Sequence, residues 1–198
     1  MKKLILIAII SLFASVSFAE GLGVGARISY QSEGMMGDGA EYFADETVSS
    51  GYAVGASVLY HFSEMMSLRT GLELQFQIYS WTQDSPVSSK DVDYSYLFMN
   101  LDIPVLARIN FTRGFFAEAG LDVAINMLAQ GYDSYNDEWE DFKDWNTIQL
   151  GPTVGVGYTM WFGLEFGARM TYGLLEPGDD ADFRPFRFQI DISYWFMK

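Results

Sequence analysis

Hydrophobic and polar positions alternate with a period of two through most of the chain. In residues 101–111, Leu101, Ile103, Val105, Ala107, Ile109 and Phe111 alternate with Asp102, Pro104, Leu106, Arg108 and Asn110. Successive side chains of a strand point to opposite faces, so this stretch predicts a strand with one greasy face and one mostly polar face. The same pattern recurs in 22–30, 52–62, 68–78, 115–129, 148–158, 164–174 and 186–196. In the second of these, for example, Tyr52, Val54, Ala56, Val58, Tyr60 and Phe62 alternate with Ala53, Gly55, Ser57, Leu59 and His61. In 115–129, Phe115, Ala117, Ala119, Leu121, Val123, Ile125, Met127 and Ala129 form the apolar set. The pattern predicts eight strands, each about as long as the 9–11 residues that cross a bilayer. Pro104 falls on the polar face and cannot donate to a ladder, so a bulge or local irregularity is expected there.

The connections alternate in length. "SEMMS", "TRG" and "MWFG" are short, whereas 32–50, 82–93, 131–146 and 175–184 are long. Short turns on one side and long loops on the other are the pattern of an outer-membrane barrel, with both termini periplasmic and the long loops extracellular. A soluble eight-stranded barrel would have the same alternation with its apolar face inward. Aromatic placement separates the two. Tyr60, Phe62, Phe111, Phe115, Tyr158, Phe162, Tyr194 and Phe196 lie on the apolar face at the short-turn end, and Tyr30, Tyr52, Tyr172 and Phe186 at the long-loop end. Two aromatic girdles around an aliphatic band belong at two membrane interfaces. The expected fold is therefore all-β: an eight-stranded antiparallel up-and-down transmembrane barrel of small, porin-like or OmpX-like architecture, apolar outside and polar within.

The polar face then becomes a lumen. It carries Arg27, Arg69, Arg108, Arg169 and Arg187 against Glu73, Asp102, Glu118, Asp122, Glu165 and Asp191. Eight strands leave an interior just wide enough to be filled by side chains. Lumen-facing glycines (Gly23, Gly25, Gly55, Gly71, Gly120, Gly155, Gly157 and Gly167) leave space beside the arginines. The expectation is a plug of Arg–carboxylate pairs. The alternative is a narrow channel or transporter, although a wide pore takes about 16 strands.

Composition refines this picture. The N-terminus "MKKLILIAIISLFASVSFAE" has Lys2 and Lys3 before an apolar core, with Ser17 and Ala19 placed for cleavage. Residues 1–19 are expected to be a cleaved signal peptide and 20–198 the barrel domain. The mature chain keeps all 26 acids and 10 of the 12 bases, a net charge of −16, which argues against a nucleic-acid partner. With no cysteine there is no disulfide, thiol nucleophile or thiolate metal site. Outer-membrane barrel enzymes such as lipid A deacylases rely on a catalytic His. The one histidine, His61, falls near the short-turn end, so no enzyme activity and no catalytic residue are expected.

The charge imbalance sits in the long connections, which hold 18 acids and three bases. The densest run, "YDSYNDEWEDFKDW", offers Asp133, Asp137, Glu138, Glu140, Asp141 and Asp144 interleaved with Tyr132, Tyr135, Trp139, Phe142 and Trp145. These acids are a candidate weak Ca²⁺ or partner site, although their spacing does not match an EF-hand. No resident cofactor is expected. The expected partners are membrane lipid, lipopolysaccharide (through bridging cations), the barrel assembly machinery during insertion and an unidentified protein. The barrel, closed without a second chain, is expected to be a monomer.

"YLFMNLDIPVLARINF" (96–111) resembles a strand of the PorT-like outer-membrane β-barrel family, where "YLEIPLLLKY" precedes a turn and a Gly-x-x-x-x-x-Gly segment. Tyr96, Leu97, Ile103, Pro104, Leu106 and Arg108 would fill comparable roles, followed by Gly114 and Gly120. "GPTVGVGY" (151–158) is similar to the family's Gly-rich sixth strand. The resemblance implies the barrel fold in a Gram-negative outer membrane. The founding member is implicated in type IX protein secretion, which adds a secretion component to the functions to weigh.

Overall fold

The computed structural model describes residues 21–36, 48–83, 92–133, 138–141, 147–176 and 184–197. The segment expected to be a signal peptide lies outside them. Among these residues are β1 (Leu22–Met36), β2 (Val48–His61), β3 (Met66–Gln83), β4 (Val92–Asn110), β5 (Phe115–Asp133), β6 (Glu138–Asp141), β7 (Ile148–Thr159), β8 (Leu164–Tyr172) and β9 (Arg184–Met197). All neighbouring strands pair antiparallel. The hydrogen-bonded order β4-β3-β2-β1-β9-β8-β7-β5 returns to its start through β4–β5, which closes an eight-stranded barrel. Closure gives every barrel strand a partner on both sides, the condition for crossing hydrocarbon without helices. No helix among the described residues is long and apolar enough to cross.

The barrel is inside-out relative to a soluble one. Ile28, Val54, Val105, Leu121, Val154 and Ile190 are exposed on its wall, while Arg27, Arg69, Glu73, Asp102, Glu165 and Asp191 are buried inside. The three short turns are tight. Phe62 N–H donates to Met66 O at 3.0 Å, Phe111 N–H to Phe115 O at 2.7 Å and Met160 N–H to Leu164 O at 2.7 Å. The second turn needs two successive left-handed residues, Arg113 (φ 71°) and Gly114 (φ 87°); a glycine is at ease there, an arginine less so.

Two sequence expectations are corrected, and the local irregularity expected at Pro104 is present without a bulge. Pro104 causes no register shift: β4 and β5 stay in step through Pro104↔Asp122. On its other side the β3–β4 ladder skips from Thr70↔Val105 to Glu73↔Asp102 and resumes in the same register. The missing N–H therefore interrupts pairing locally without bulging the strand. Bulges lie elsewhere: at Val24/Gly25, where Val24 faces Met197 and Gly25 faces Trp195, and at Met99/Asn100, where Asn100 faces Asn126 and Met99 faces Leu128, leaving Met127 as an extra residue. One extra residue exchanges the faces beyond it. Ala129, on the apolar set of the strict alternation, is therefore buried inside with Tyr79 and Phe98.

The second correction concerns the long connections. β1, β3, β4 and β5 run 15, 18, 19 and 19 residues, well beyond a membrane span. Part of the acidic run is a hairpin: Asp133 pairs with Glu138, Tyr132 with Trp139, Gly131 with Glu140 and Gln130 with Asp141. β6 takes over the β5 edge above Ile125, where β7 leaves it.

Candidate functional site: the charged lumen

The strand period fixes the lumen. Inward positions recur every second residue, so residues far apart in sequence converge wherever the register aligns their strands. All five arginines and all six acids of the polar face are buried in ion pairs. Arg27 donates to Glu73 at 2.5 Å and to Asp191 at 2.8 Å. Arg169 Nε donates to Glu118 at 2.5 Å, and its Nη1 lies 3.5 Å from Glu73. Arg69 donates to Glu165 at 2.8 Å and approaches Glu118 at 3.6 Å. Arg187 reaches Asp122 at 2.6 Å and Asp102 at 2.9 Å.

The two ends of the lumen differ. At the short-turn end Glu165 is saturated: Oε1 accepts from Arg69, and Oε2 from Arg108 (2.8 Å), Thr159 (2.7 Å) and Trp195 Nε1 (3.0 Å). The Arg108 guanidinium lies over the Phe116 ring, 3.5 Å from its centroid, and Arg69 over Trp195 at 5.4 Å. At the long-loop end one arginine, Arg187, faces Asp102 and Asp122, and Glu33 stands nearby, accepting from Tyr79 Oη at 2.6 Å. The lumen is thus cation-rich below and acid-rich above.

Glutamines extend the network upward. Gln31 Nε2 donates to Gln77 at 2.8 Å, Gln77 donates to Ser49, Gln75 donates to Asp102, and Gln189 donates to Ser29 at 2.7 Å. Their inward phase is legible in the alternation, but their partners are not. Tyr79 and Glu33 fall just outside the strand limits read from sequence. Tyr79 packs edge-on against Phe98, 5.5 Å between centroids, and roofs the network. Among the described residues, cavities flank the ion pairs at both ends of the lumen. The upper one is about 60 Å³, beside Glu33, Asn100, Asp122, Gln149 and Arg187. The lower one is about 490 Å³ and is lined by residues that include His61, Arg108, Arg113 and Trp195.

On the outer wall, Tyr60, Phe62, Phe111, Phe115, Tyr158, Phe162, Tyr194 and Phe196 are all exposed at the short-turn end. They pair as Tyr60–Phe62 (4.9 Å), Phe115–Tyr158 (4.9 Å) and Tyr194–Phe196 (5.4 Å). Trp161, 92% exposed in the β7–β8 turn, joins this end and carries no alternation signal because it lies in a turn. Tyr30 and Tyr52 pair at 5.5 Å at the other end. Among the described residues no group of three or more His, Asp or Glu converges as a metal site. Asp137 and Asp144 lie outside those residues, as do the side chains of Asp133, Glu138, Glu140 and Asp141.

An aliphatic outer wall, aromatic ends and a closed ladder describe a membrane barrel, and the sequence matches the family described as outer membrane protein beta-barrel domain over residues 13–176. The chain belongs to that family. It is an outer-membrane β-barrel protein. Its fold is similar to that of Neisserial surface protein A, with TM-score 0.52 and 12% identity over 88% of this chain and 97% of that one. It is similar to Ail, the attachment invasion locus protein of Yersinia pestis, solved with the heparin analogue sucrose octasulfate, with TM-score 0.52 and 16% identity over 88% and 99%. OprG of Pseudomonas aeruginosa gives TM-score 0.50 and 14% identity over 90% and 97%. At these identities the likeness is one of fold. No curated protein matches the sequence.

Proposed function

We propose that this outer-membrane barrel is a non-enzymatic structural or interaction protein of the cell envelope, with a plugged lumen and a working surface on its long acidic connections. The observation that carries this reading is the interior. Arg27, Arg69, Arg108, Arg169 and Arg187 are tied to six carboxylates between the two cavities. Moving a solute through would break several buried pairs at once, each costing about 3–5 kcal/mol when one partner is lost. The only histidine lines the short-turn cavity, which supports a role without acid–base chemistry at the long-loop rim. The long connections face outward and both termini face the periplasm in this reading, as in barrels of this architecture. The acids at 133–144 then meet lipopolysaccharide-bound cations or a basic partner. A link to protein secretion rests on the PorT-like resemblance of 96–111.

Two measurements test it. Single-channel recording of the refolded protein in a planar bilayer should show no steady conductance. Crosslinking and pull-down from intact cells should recover a defined partner that is lost when the six acids in 133–144 become Asn and Gln. Steady ohmic conductance would replace the plug with a channel. Recovery of assembly machinery alone, from both forms, would remove the interaction role.

A further inference from the structure

Closing the barrel joins its first strand to its last. Each other pair of neighbours in the barrel is joined by one connection of the chain, with β6 inside the one between β5 and β7. The β1–β9 seam is joined by none, and pairing between distant segments is the slowest to form. The seam is also irregular at its short-turn end. Val24 faces Met197 and Gly25 faces Trp195, which leaves Phe196 without a partner. A bulge interrupts the ladder locally, so the backbone holds this end of the seam less well.

Side chains supply what the ladder lacks there. The inward residues of β9 are Arg187, Gln189, Asp191, Ser193 and Trp195, all buried. Two of them hold β1 directly. Asp191 accepts from Arg27 Nη2 at 2.8 Å, and Gln189 Nε2 donates to Ser29 at 2.7 Å. The other three reach past the seam. Arg187 pairs with Asp102 of β4 and Asp122 of β5, Ser193 accepts from Arg69 of β3 at 3.3 Å, and Trp195 Nε1 donates to Glu165 of β8 at 3.0 Å. Opposite Trp195, Gly25 keeps the seam clear: a Cβ there would fall 2.9 Å from the indole.

The ion pairs divide by whether they cross the seam. Arg27–Glu73 lies within β1–β2–β3, and Arg169–Glu118 within β5–β7–β8. Arg27 is thus oriented from its own side by Glu73 at 2.5 Å and extends its second nitrogen across to Asp191. Among the described residues Arg27 is the cation paired with Asp191. Parting the seam would strip a buried carboxylate of that partner.

We propose that the inward face of β9 is a latch on the β1–β9 seam, in which Arg27 closes on Asp191, Ser29 on Gln189, and the Trp195 indole lies over Gly25. The seam is the joint where this barrel opens, and these side chains, rather than the ladder alone, hold it shut. The latch is independent of whether the lumen conducts or the acidic connections hold a partner.

Hydrogen–deuterium exchange of the refolded mature protein in a maltoside micelle, resolved by peptide, tests this, because amide exchange reports local opening. Asp191→Ala should speed exchange in the β1 and β9 peptides about tenfold or more, the loss of a charge-assisted hydrogen bond, and leave β3 and β5 near their wild-type rates. Ser29→Ala removes one neutral hydrogen bond across the seam and leaves every ion pair intact, so its result stands even where Asp191→Ala does not fold. It should speed the same peptides about threefold. Thr153→Ala removes a comparable hydroxyl contact, to Thr171 at 2.8 Å within β7–β8, and should leave the seam peptides unchanged. Seam exchange unaltered in Ser29→Ala, exchange raised uniformly over all strands, or a seam loosened as much by Thr153→Ala as by Ser29→Ala would overturn the latch.

Discussion

Arg69 of β3 donates to Glu165 of β8 at 2.8 Å across the barrel axis, joining residues 96 positions apart. The two strands are not neighbours in the sheet. The contact exists only because the barrel is closed and its interior is narrow enough for one arginine to span. Both side chains are about 99–100% buried. Such a pair is costly to desolvate and costlier to leave half-made.

Breaking it should therefore be asymmetric. Glu165→Gln leaves both Arg69 and Arg108 short of a counter-charge and should destabilise the barrel by about 3–5 kcal/mol. The double replacement Arg69→Met with Glu165→Leu removes both charges and should cost less than Glu165→Gln alone. Urea unfolding followed by tryptophan fluorescence in vesicles would compare them. A double variant less stable than the single would refute this reading of the pair.

The bulge at Met127 makes an unusual deletion prediction. Removing Met127 joins Asn100↔Asn126 directly to Met99↔Leu128 and leaves every remaining inward side chain inward. Its cost should be small, about 1 kcal/mol, the order of a typical single change. Removing Leu121, six residues away on the same strand, carries no such compensation and turns one part of β5 inside out. Heat-modifiable gel mobility should show a folded barrel for the Met127 deletion and none for the Leu121 deletion.

The wall should be intolerant where the lumen is not. Val154 is 57% exposed in the aliphatic band, so Val154→Arg should destabilise insertion by about 2–4 kcal/mol. Thr153, its neighbour, is buried inside and hydrogen-bonds Thr171 at 2.8 Å. Thr153→Ser keeps that hydroxyl and should cost about 1 kcal/mol or less. Folding into phosphatidylcholine vesicles at graded urea measures both; a tolerated arginine at 154 would mean that this face does not meet lipid.

Much of this was legible in the residues. Arg27 between Ala26 and Ile28, or Glu165 between Leu164 and Phe166, tells which face each side chain takes, because pleating alone sets a period of two. The aromatic ends at Tyr60–Phe62 and Tyr194–Phe196 tell which face meets lipid, because aromatic rings suit the interface. What pattern could not reach depends on register. Ala129 reads as outward until the Met127 bulge shifts its phase. Glu33 reads as loop until β1 extends past it toward Tyr79. "EWED" (138–141) reads as part of a long connection until β6 pairs with β5.

The sequence by itself determined the strands, their two faces and the charge that fills the interior, because alternation is a local property of the chain. Only the tertiary structure decided which arginine meets which carboxylate, where the bulges fall, and that each lumen arginine keeps one nitrogen without a partner. Those facts arise from closing eight strands at one shear, and closure joins residues that no local pattern connects.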